Sequence, residues 1–192
     1  EGFKSKNIQV LIMTDAIDQF WLPMIGSFKD KKFTSITQGQ INLDDLDEKN
    51  KDKKSDSKDQ KEKQDKEFVD LIAQMKVVLG EQVKDIRLSS KLTDSPVCLV
   101  ADDGDMDIAM EQLMAQRDTN YKGAPRILEI NGDHSLIKNM KSLLSKKENN
   151  DLVSDAGTLL FEQARLLEGK MPADSAQFSK IMNQFLLKDI PE

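Results

Sequence analysis

Asp102, Asp103, Asp105 and Asp107 crowd carboxylates into one short stretch, the most metal-like feature of the chain. A calcium loop of the helix–loop–helix kind needs Gly at its sixth position and Glu at its twelfth. Counted from Asp103, those positions hold Ile108 and Met114, so the pattern fails. The plainer reading is a set of carboxylates gathered at a helix N-terminus, where free N–H groups and the helix dipole favour them. His134 is the only histidine, which excludes a multi-histidine zinc site within these residues. It follows Asn131-Gly132-Asp133 where a helix should begin, so a local hydrogen-bonding role is expected rather than general-base work. Asp15 and Asp18 share a helix face as paired carboxylates do, but Asp15 reads more simply as a cap. Cys98 stands alone, without a disulfide framework or a Cys-rich metal site, and a reducing cytosol is the default. No Gly-rich phosphate loop, serine nucleophile elbow or Cys–His pair stands out. The expectation is therefore no catalytic residue and no metal site, and a metal-dependent enzyme built on Asp102 to Asp107 is the weakest reading.

The other chemistry is that of apolar contact. Met106, Met110, Leu113 and Met114 fall on one helix face, with Ile108 and Ala109 to the side. Methionine is flexible and polarizable, so an exposed stripe of it adapts to varied apolar partners, while a covered one is ordinary core. Phe20 and Trp21 carry the same two readings.

The elements that must position these residues follow from periodicity. Residues 149–187 read as a helical hairpin. Its first arm carries Leu152, Val153, Ala156, Leu159, Leu160, Ala164, Leu166 and Leu167 at three- and four-residue steps. Gly169 stops it and Pro172 forbids continuation. Asp174, with Gln177 three residues on, opens the second arm, where Phe178, Ile181, Met182, Phe185 and Leu186 fall at i, i+3, i+4, i+7 and i+8. The apolar residues of the first arm, Phe161 among them, spread wider than one stripe. Either the arms fold back on their own domain, or two copies pair into a four-helix bundle.

Upstream, residues 1–6 read as the end of a helix and Ile8 to Met13 as a strand buried on both sides. A helix capped by Thr14-Asp15 runs to Gly26, and Phe33 to Thr37 reads as a strand, so residues 1–45 form a β-α-β fragment. Residues 46–67 are Lys, Asp, Glu, Ser and Gln with almost nothing apolar, and read as a solvated linker, loop or exposed helix. Phe68 to Leu79 predicts a helix closed by Gly80; Val83 to Leu88, Pro96 to Ala101 and Arg126 to Ile130 predict strands; Met106 to Met114 and Asp133 to Leu144 predict helices. The fold class expected is α+β: a β-α-β fragment, then a mixed α/β domain over residues 68–192 with a small sheet, closed by the hairpin.

At 192 residues the chain can bury one good core or two small ones. A net charge of −6 gives no global attraction for nucleic acid or an anionic membrane, so neither is expected as a partner. No apolar run approaches the roughly 20 residues that span a bilayer. The chain opens on Glu-Gly-Phe-Lys, without an initiator Met or a signal peptide, and reads as a piece of something longer.

Several motifs, in order, carry a family resemblance. Val83-Lys84-Asp85-Ile86-Arg87-Leu88-Ser89, followed by Leu92-Thr93-Asp94-Ser95-Pro96, resembles the opening of the C-terminal domain of the heat-shock protein 90 family. Residues 10–18 resemble the end of that family's middle domain, and Ile127 to Leu136 its Asn-Pro-x-His element, with Gly132 where Pro is usual. Residues 181–186 resemble its Arg-Met-Asn-Gln-Leu-Leu run. The resemblance extends over residues 1–187 apart from the charged stretch. The ending Ile190-Pro191-Glu192 lacks the tails of the eukaryotic cytosolic and reticulum members, which favours a bacterial form, with an organellar one as the alternative.

The resemblance implies part of an ATP-driven homodimeric chaperone: the end of the middle domain plus the C-terminal dimerisation domain. ATP and Mg would belong to an N-terminal domain outside this piece, so no cofactor and no ATPase activity are expected here. It implies a dimer interface at the hairpin, through Leu152, Ala156, Leu159, Leu160, Leu167, Phe178, Ile181, Met182, Phe185 and Leu186. It also implies contact with unfolded or partly folded client proteins through Met106, Met110, Leu113 and Met114, with Phe20 or Trp21 opposite. A purely structural dimerisation scaffold whose Met stripe is core is the alternative.

Overall fold

A computed structural model describes residues 2–39, 41, 43, 54–118, 121, 123–145 and 149–189. The fold is mixed α and β, and it is organised on one short strand. Arg126–Ile130 (β5) lies between Val83–Leu88 (β3), to which it is parallel, and Val97–Val100 (β4), to which it is antiparallel. Every β5 residue is buried, which explains why its sequence shows no open face. Alternation still sorts the side chains. Leu128 and Ile130 join Ile86, Val97 and Leu99 in the core on one face, while Glu129 belongs to the other.

Three helices cover the apolar face: Lys54–Leu79 (α3), Ser135–Leu144 (α5) and Asn150–Leu167 (α6). On α3, Phe68, Leu71, Met75 and Leu79 recur at helical spacing and are all buried. Gly80, at φ +51°, ends the helix, and a 3-10 turn over Gly80–Gln82 feeds β3 directly. Gly157 of α6 is buried against α3, where a Cβ would meet the Met75 side chain at 3.4 Å, an ordinary packing distance. Burying side chains of this size stabilises the fold by about 1.5–3 kcal/mol each before entropy is counted. α3 reaches back from Phe68 through charged residues to Lys54, so part of the polar stretch is helical; residues 44–53 lie outside those described. Helix Ile108–Arg117 (α4) and helix Ser175–Asp189 (α7) complete the domain.

The N-terminal fragment departs from the β-α-β reading. A one-turn helix, Gly2–Ser5 (α1), is followed by residues 8–13 without regular structure, and Ile12 is 83% exposed. A continuous apolar run needs neighbouring strands on its edges and cover on both faces, and among the described residues no strand pairs with it; the Ile8 N–H donates instead to the Phe3 carbonyl. Asp18–Ile25 (α2) does form and stops at Gly26, φ +64°. Beyond it the chain turns tightly through Lys29 and Asp30, both at positive φ, into a two-residue hairpin of Ser27–Phe28 (β1) and Lys31–Lys32 (β2). A turn of that kind normally announces itself with Asn or Gly, which is absent here. The strand expected over Phe33 to Thr37 does not form; the nearest pairing is a single bridge between Gln38, just beyond it, and Ala101.

That bridge is secured by charge on the second face of the sheet. The buried Glu129 carboxylate accepts from Arg87 Nε and Nη2 at 3.1 and 2.9 Å and from Ser89 Oγ at 3.0 Å, with Lys91 Nζ 3.3 Å away. Arg87 Nη2 also donates to the Gly39 carbonyl and Lys91 Nζ to the Ile36 carbonyl. One carboxylate thus holds the two cations that tie residues 36–39 to the domain. Replacing Glu129 by Ala strands both cations, and a loss of about 3 kcal/mol in denaturant-derived stability is expected; a loss under about 1 kcal/mol would show that the cluster does not hold the fold. Cys98 Sγ lies 3.8 Å from the same carboxylate, and burial, reinforced by Glu129, pushes its thiol up to about 12. In the folded chain at pH 8, alkylation of Cys98 should be slower than that of an exposed cysteine by roughly a hundredfold or more, and rapid once the chain is unfolded.

Candidate functional site

Two surfaces carry the residues singled out by sequence. The first is the α6–α7 hairpin, whose turn is fixed by side chains as well as by glycine. Gly169, at φ +78°, lets its own N–H reach the Leu166 carbonyl and the Lys170 N–H the Arg165 carbonyl, which closes the last turn of α6. Glu162, buried, receives the Ala173 N–H on both carboxylate oxygens at 3.1 and 3.2 Å and pairs with Arg165 Nε at 3.2 Å. Arg165 Nη2 donates to the Met171 carbonyl, and Asp174 Oδ1 accepts from the Gln177 N–H at 2.9 Å to start α7.

The hairpin buries one side and leaves the other open. Val153, Leu160, Phe161 and Ala164 face the domain core, and Ile181 of α7 is covered as well. Leu160 and Ile181, two of the expected interface residues, are therefore already occupied within the chain. Leu152, Ala156, Leu159, Phe178 and Phe185 are half-buried. Leu167 and Leu187 are 77% and 75% exposed, and Leu166, Met171, Met182 and Leu186 are exposed beside them. These water-facing apolar side chains are spread along the hairpin: Leu166, Leu167 and Met171 lie at its turn, and Met182, Leu186 and Leu187 lie along α7 to its far end.

The second surface is α4 and its approach. Asp107 caps the helix, its Oδ1 accepting from the Ala109 N–H at 3.0 Å, so the helix begins at Ile108. Met106 is consequently outside the helix, in the loop that enters it, rather than on the same helical face as Met110, Leu113 and Met114. Met110, Leu113 and Met114 are half-buried and Met106 is exposed. The residues α4 buries are Ile108 and Glu111. In the sequence Glu111 shows only as a charge on the helix that carries Ile108, Met110, Leu113 and Met114, and nothing local marks it as buried. Its carboxylate lies 2.8 Å from Arg126 Nη2 of β5 and 3.3 Å from Lys170 Nζ after α6.

On α2 the two aromatics differ. Trp21 Nε1 donates to Asp18 Oδ1 at 2.8 Å, while Phe20 is the more exposed. Asp15 Oδ1 accepts from the Ile17 N–H and Asp18 Oδ2 from the Asp15 N–H, which shapes the turn before α2; the cap position is Ile17, so Asp15 is not the cap expected from sequence. The route from α2 to α4 runs through Ser35 and Thr37, whose hydroxyls both bond Asp107 Oδ2.

The remaining chemistry-bearing residues are engaged locally. Lys84 Nζ reaches Asp102 at 2.8 Å and Asp105 at 3.0 Å. The hydrogen bond from Lys84 and the Asp103 N–H hold the Asp102 carboxyl below the usual carboxylate range, and the same two carboxylates hold the Lys84 ammonium above its own. Among the described residues no three His, Cys, Asp or Glu side chains converge as a metal site would require. His134 Nδ1 accepts from the Leu136 N–H and caps α5. Among the described residues no helix is long and apolar enough to cross a membrane.

The family model described as Hsp90 protein matches residues 1–191. The chaperone protein HtpG of Roseobacter denitrificans is 42% identical over 180 residues, which is 93% of this chain and 28% of the relative. HtpG of Wolbachia pipientis wMel is 37% identical over 98% of this chain and 29% of the relative, and that of Streptomyces coelicolor 36% identical over 95% and 28%. The chain thus spans less than a third of the length of the curated relatives it matches. By the extent of the family match, this chain belongs to the Hsp90 protein family.

Proposed function

We propose that this chain is the self-associating and client-contacting portion of an Hsp90-type chaperone of the bacterial, cytoplasmic form. In this reading residues 1–45 end the middle domain, 46–67 form a charged connection, and 68–192 form the C-terminal dimerisation domain. The open apolar side of the α6–α7 hairpin carries the proposal. Two hairpins related by a two-fold axis would cover Leu166, Leu167, Met182, Leu186 and Leu187 in a four-helix bundle. Obligate interfaces of this class bury roughly 2,000–5,000 Å² in total. The exposed run at residues 10–12 fits the same reading, as a strand whose sheet neighbours belong to the longer protein.

Dimerisation acts as a tether. Joining two copies at one end turns any encounter between their distant parts into an intramolecular event at high effective concentration. ATP and Mg belong to another part of the longer protein: the charged groups described here are paired with one another, and no catalytic role or nucleotide step is assigned to them. Client contact falls to Met106, Met110, Leu113 and Met114, whose partial exposure favours this over a purely structural scaffold with a covered Met stripe. Phe20 is favoured over Trp21 as the opposing aromatic, because Asp18 holds the indole N–H.

Changing both Leu186 and Leu187 to Asp should weaken the dimer at least about a hundredfold, the equivalent of two leucines kept from burial. Sedimentation at low micromolar concentration reads this directly, with circular dichroism checking that α7 remains helical; an undiminished dimer would refute the interface. Changing Met110 and Met114 to Ser should weaken binding of a partly unfolded protein several-fold while the dimer stays intact. Unchanged affinity would leave the scaffold reading in its place.

A further inference from the structure

The helix carrying the Met face is seated by a line of alternating charge that runs from Lys170 at the hairpin turn, 36% exposed, to the buried Glu111 and Arg126. Lys170, the first residue beyond the closing glycine, places Nζ 3.3 Å from Glu111 Oε1 and 3.4 Å from the Glu168 carboxylate. The other Glu111 oxygen lies 2.8 Å from Arg126 Nη2 and accepts from the Ala124 N–H at 3.3 Å. Arg126 Nη1 then donates to the Met106 carbonyl at 3.1 Å. The Glu111 and Arg126 side chains are 5% and 4% exposed. The backbone is shaped around this carboxylate: Gly123, at φ +70°, comes so close that a Cβ there would sit 2.4 Å from Glu111 Oε1. A second strap, Gln112 Nε2 to the Glu168 carbonyl at 3.1 Å, joins the same helix to the same turn.

A carboxylate this far from water needs a cation on each side, because the charge left over when one is removed is costly to bury. Arg126 belongs to the central strand and cannot follow the hairpin. Lys170 belongs to the turn and must move with it. From this geometry we infer that Lys170 is a positioning residue that couples the α6–α7 hairpin to the Met-bearing helix α4, so that the seating of Met106 to Met114 depends on the state of the hairpin. The inference rests on the proposed roles of these two surfaces. It adds that they are linked by Lys170–Glu111–Arg126 rather than acting independently.

Hydrogen exchange of the 192-residue chain tests it. Lys170→Met keeps the aliphatic stem and removes the charge, and should speed exchange of the Leu113–Arg117 amides at least threefold. Exchange in α7, in β5 and in the 68–79 part of α3, and the molar mass, should stay as in the parent. Lys170→Arg restores a cation and should return α4 exchange to less than threefold above the parent. The coupling is overturned if Lys170→Met changes α4 exchange by less than threefold, if faster exchange spreads equally to α3 and β5, or if Lys170→Arg is as loose as Lys170→Met. The outcome is separable from the client reading: a loosened α4, together with unchanged client affinity in the Met110/Met114 variant, would remove client contact and keep the coupling.

Discussion

Helix α6 is asked to be apolar on more than one side. Its inner residues, Val153, Leu160, Phe161 and Ala164, are committed to the core shared with α3 and the sheet. It packs on α3 at Gly157, which lies against the Met75 side chain. What is left of its apolar circumference is covered unevenly: Leu152 and Leu159 are half-buried, while Leu166 and Leu167 face water. The hydrophobic effect has no direction of its own and scales with the area removed from water. The hairpin's outer side leaves apolar area in water, and in the proposed reading a second copy of the same surface covers it.

Around this apolar frame, buried carboxylates do the work of alignment. Glu129 gathers Arg87 and Lys91 and with them residues 36–39; Glu162 holds the backbone entering α7; Glu111 joins α4 to the strand and to the hairpin turn. Each joins segments that apolar packing alone would leave free to slide. Buried ion pairs contribute little net stability compared with apolar residues of the same shape, yet breaking one is costly. Such groups fix geometry more than they deepen the energy well, and fixed geometry is what a surface-contact module requires.

The helices and the three-stranded sheet were legible because their apolar period is uninterrupted: Phe68, Leu71, Met75 and Leu79 on α3, or Phe178, Ile181, Met182 and Phe185 on α7, can satisfy a helix and little else. The strand at Ile8 to Met13 was misread for a physical reason. Its pattern reports a burial that requires neighbours, and the described residues do not provide them. The β1–β2 hairpin went unseen because Lys29 and Asp30 take positive φ without the usual Asn or Gly. Met106 was assigned to the helix because the cap, Asp107, lay inside an acidic run where any residue might have served. The partners of Glu111 lie far along the chain at Arg126 and Lys170, so nothing local marked it as buried. Of the hairpin residues, spacing gave the stripe but not its division: Leu160 and Ile181 face inward, and Leu186 and Leu187 face water.

The molar mass of the 192-residue chain in solution bears most directly on all of this. Light scattering over a dilution series reaching the low micromolar range should report twice the mass of one chain throughout. A single-chain mass at every concentration, with the helices intact, would mean that the outer face of the hairpin is content in water and that the chain does not pair there.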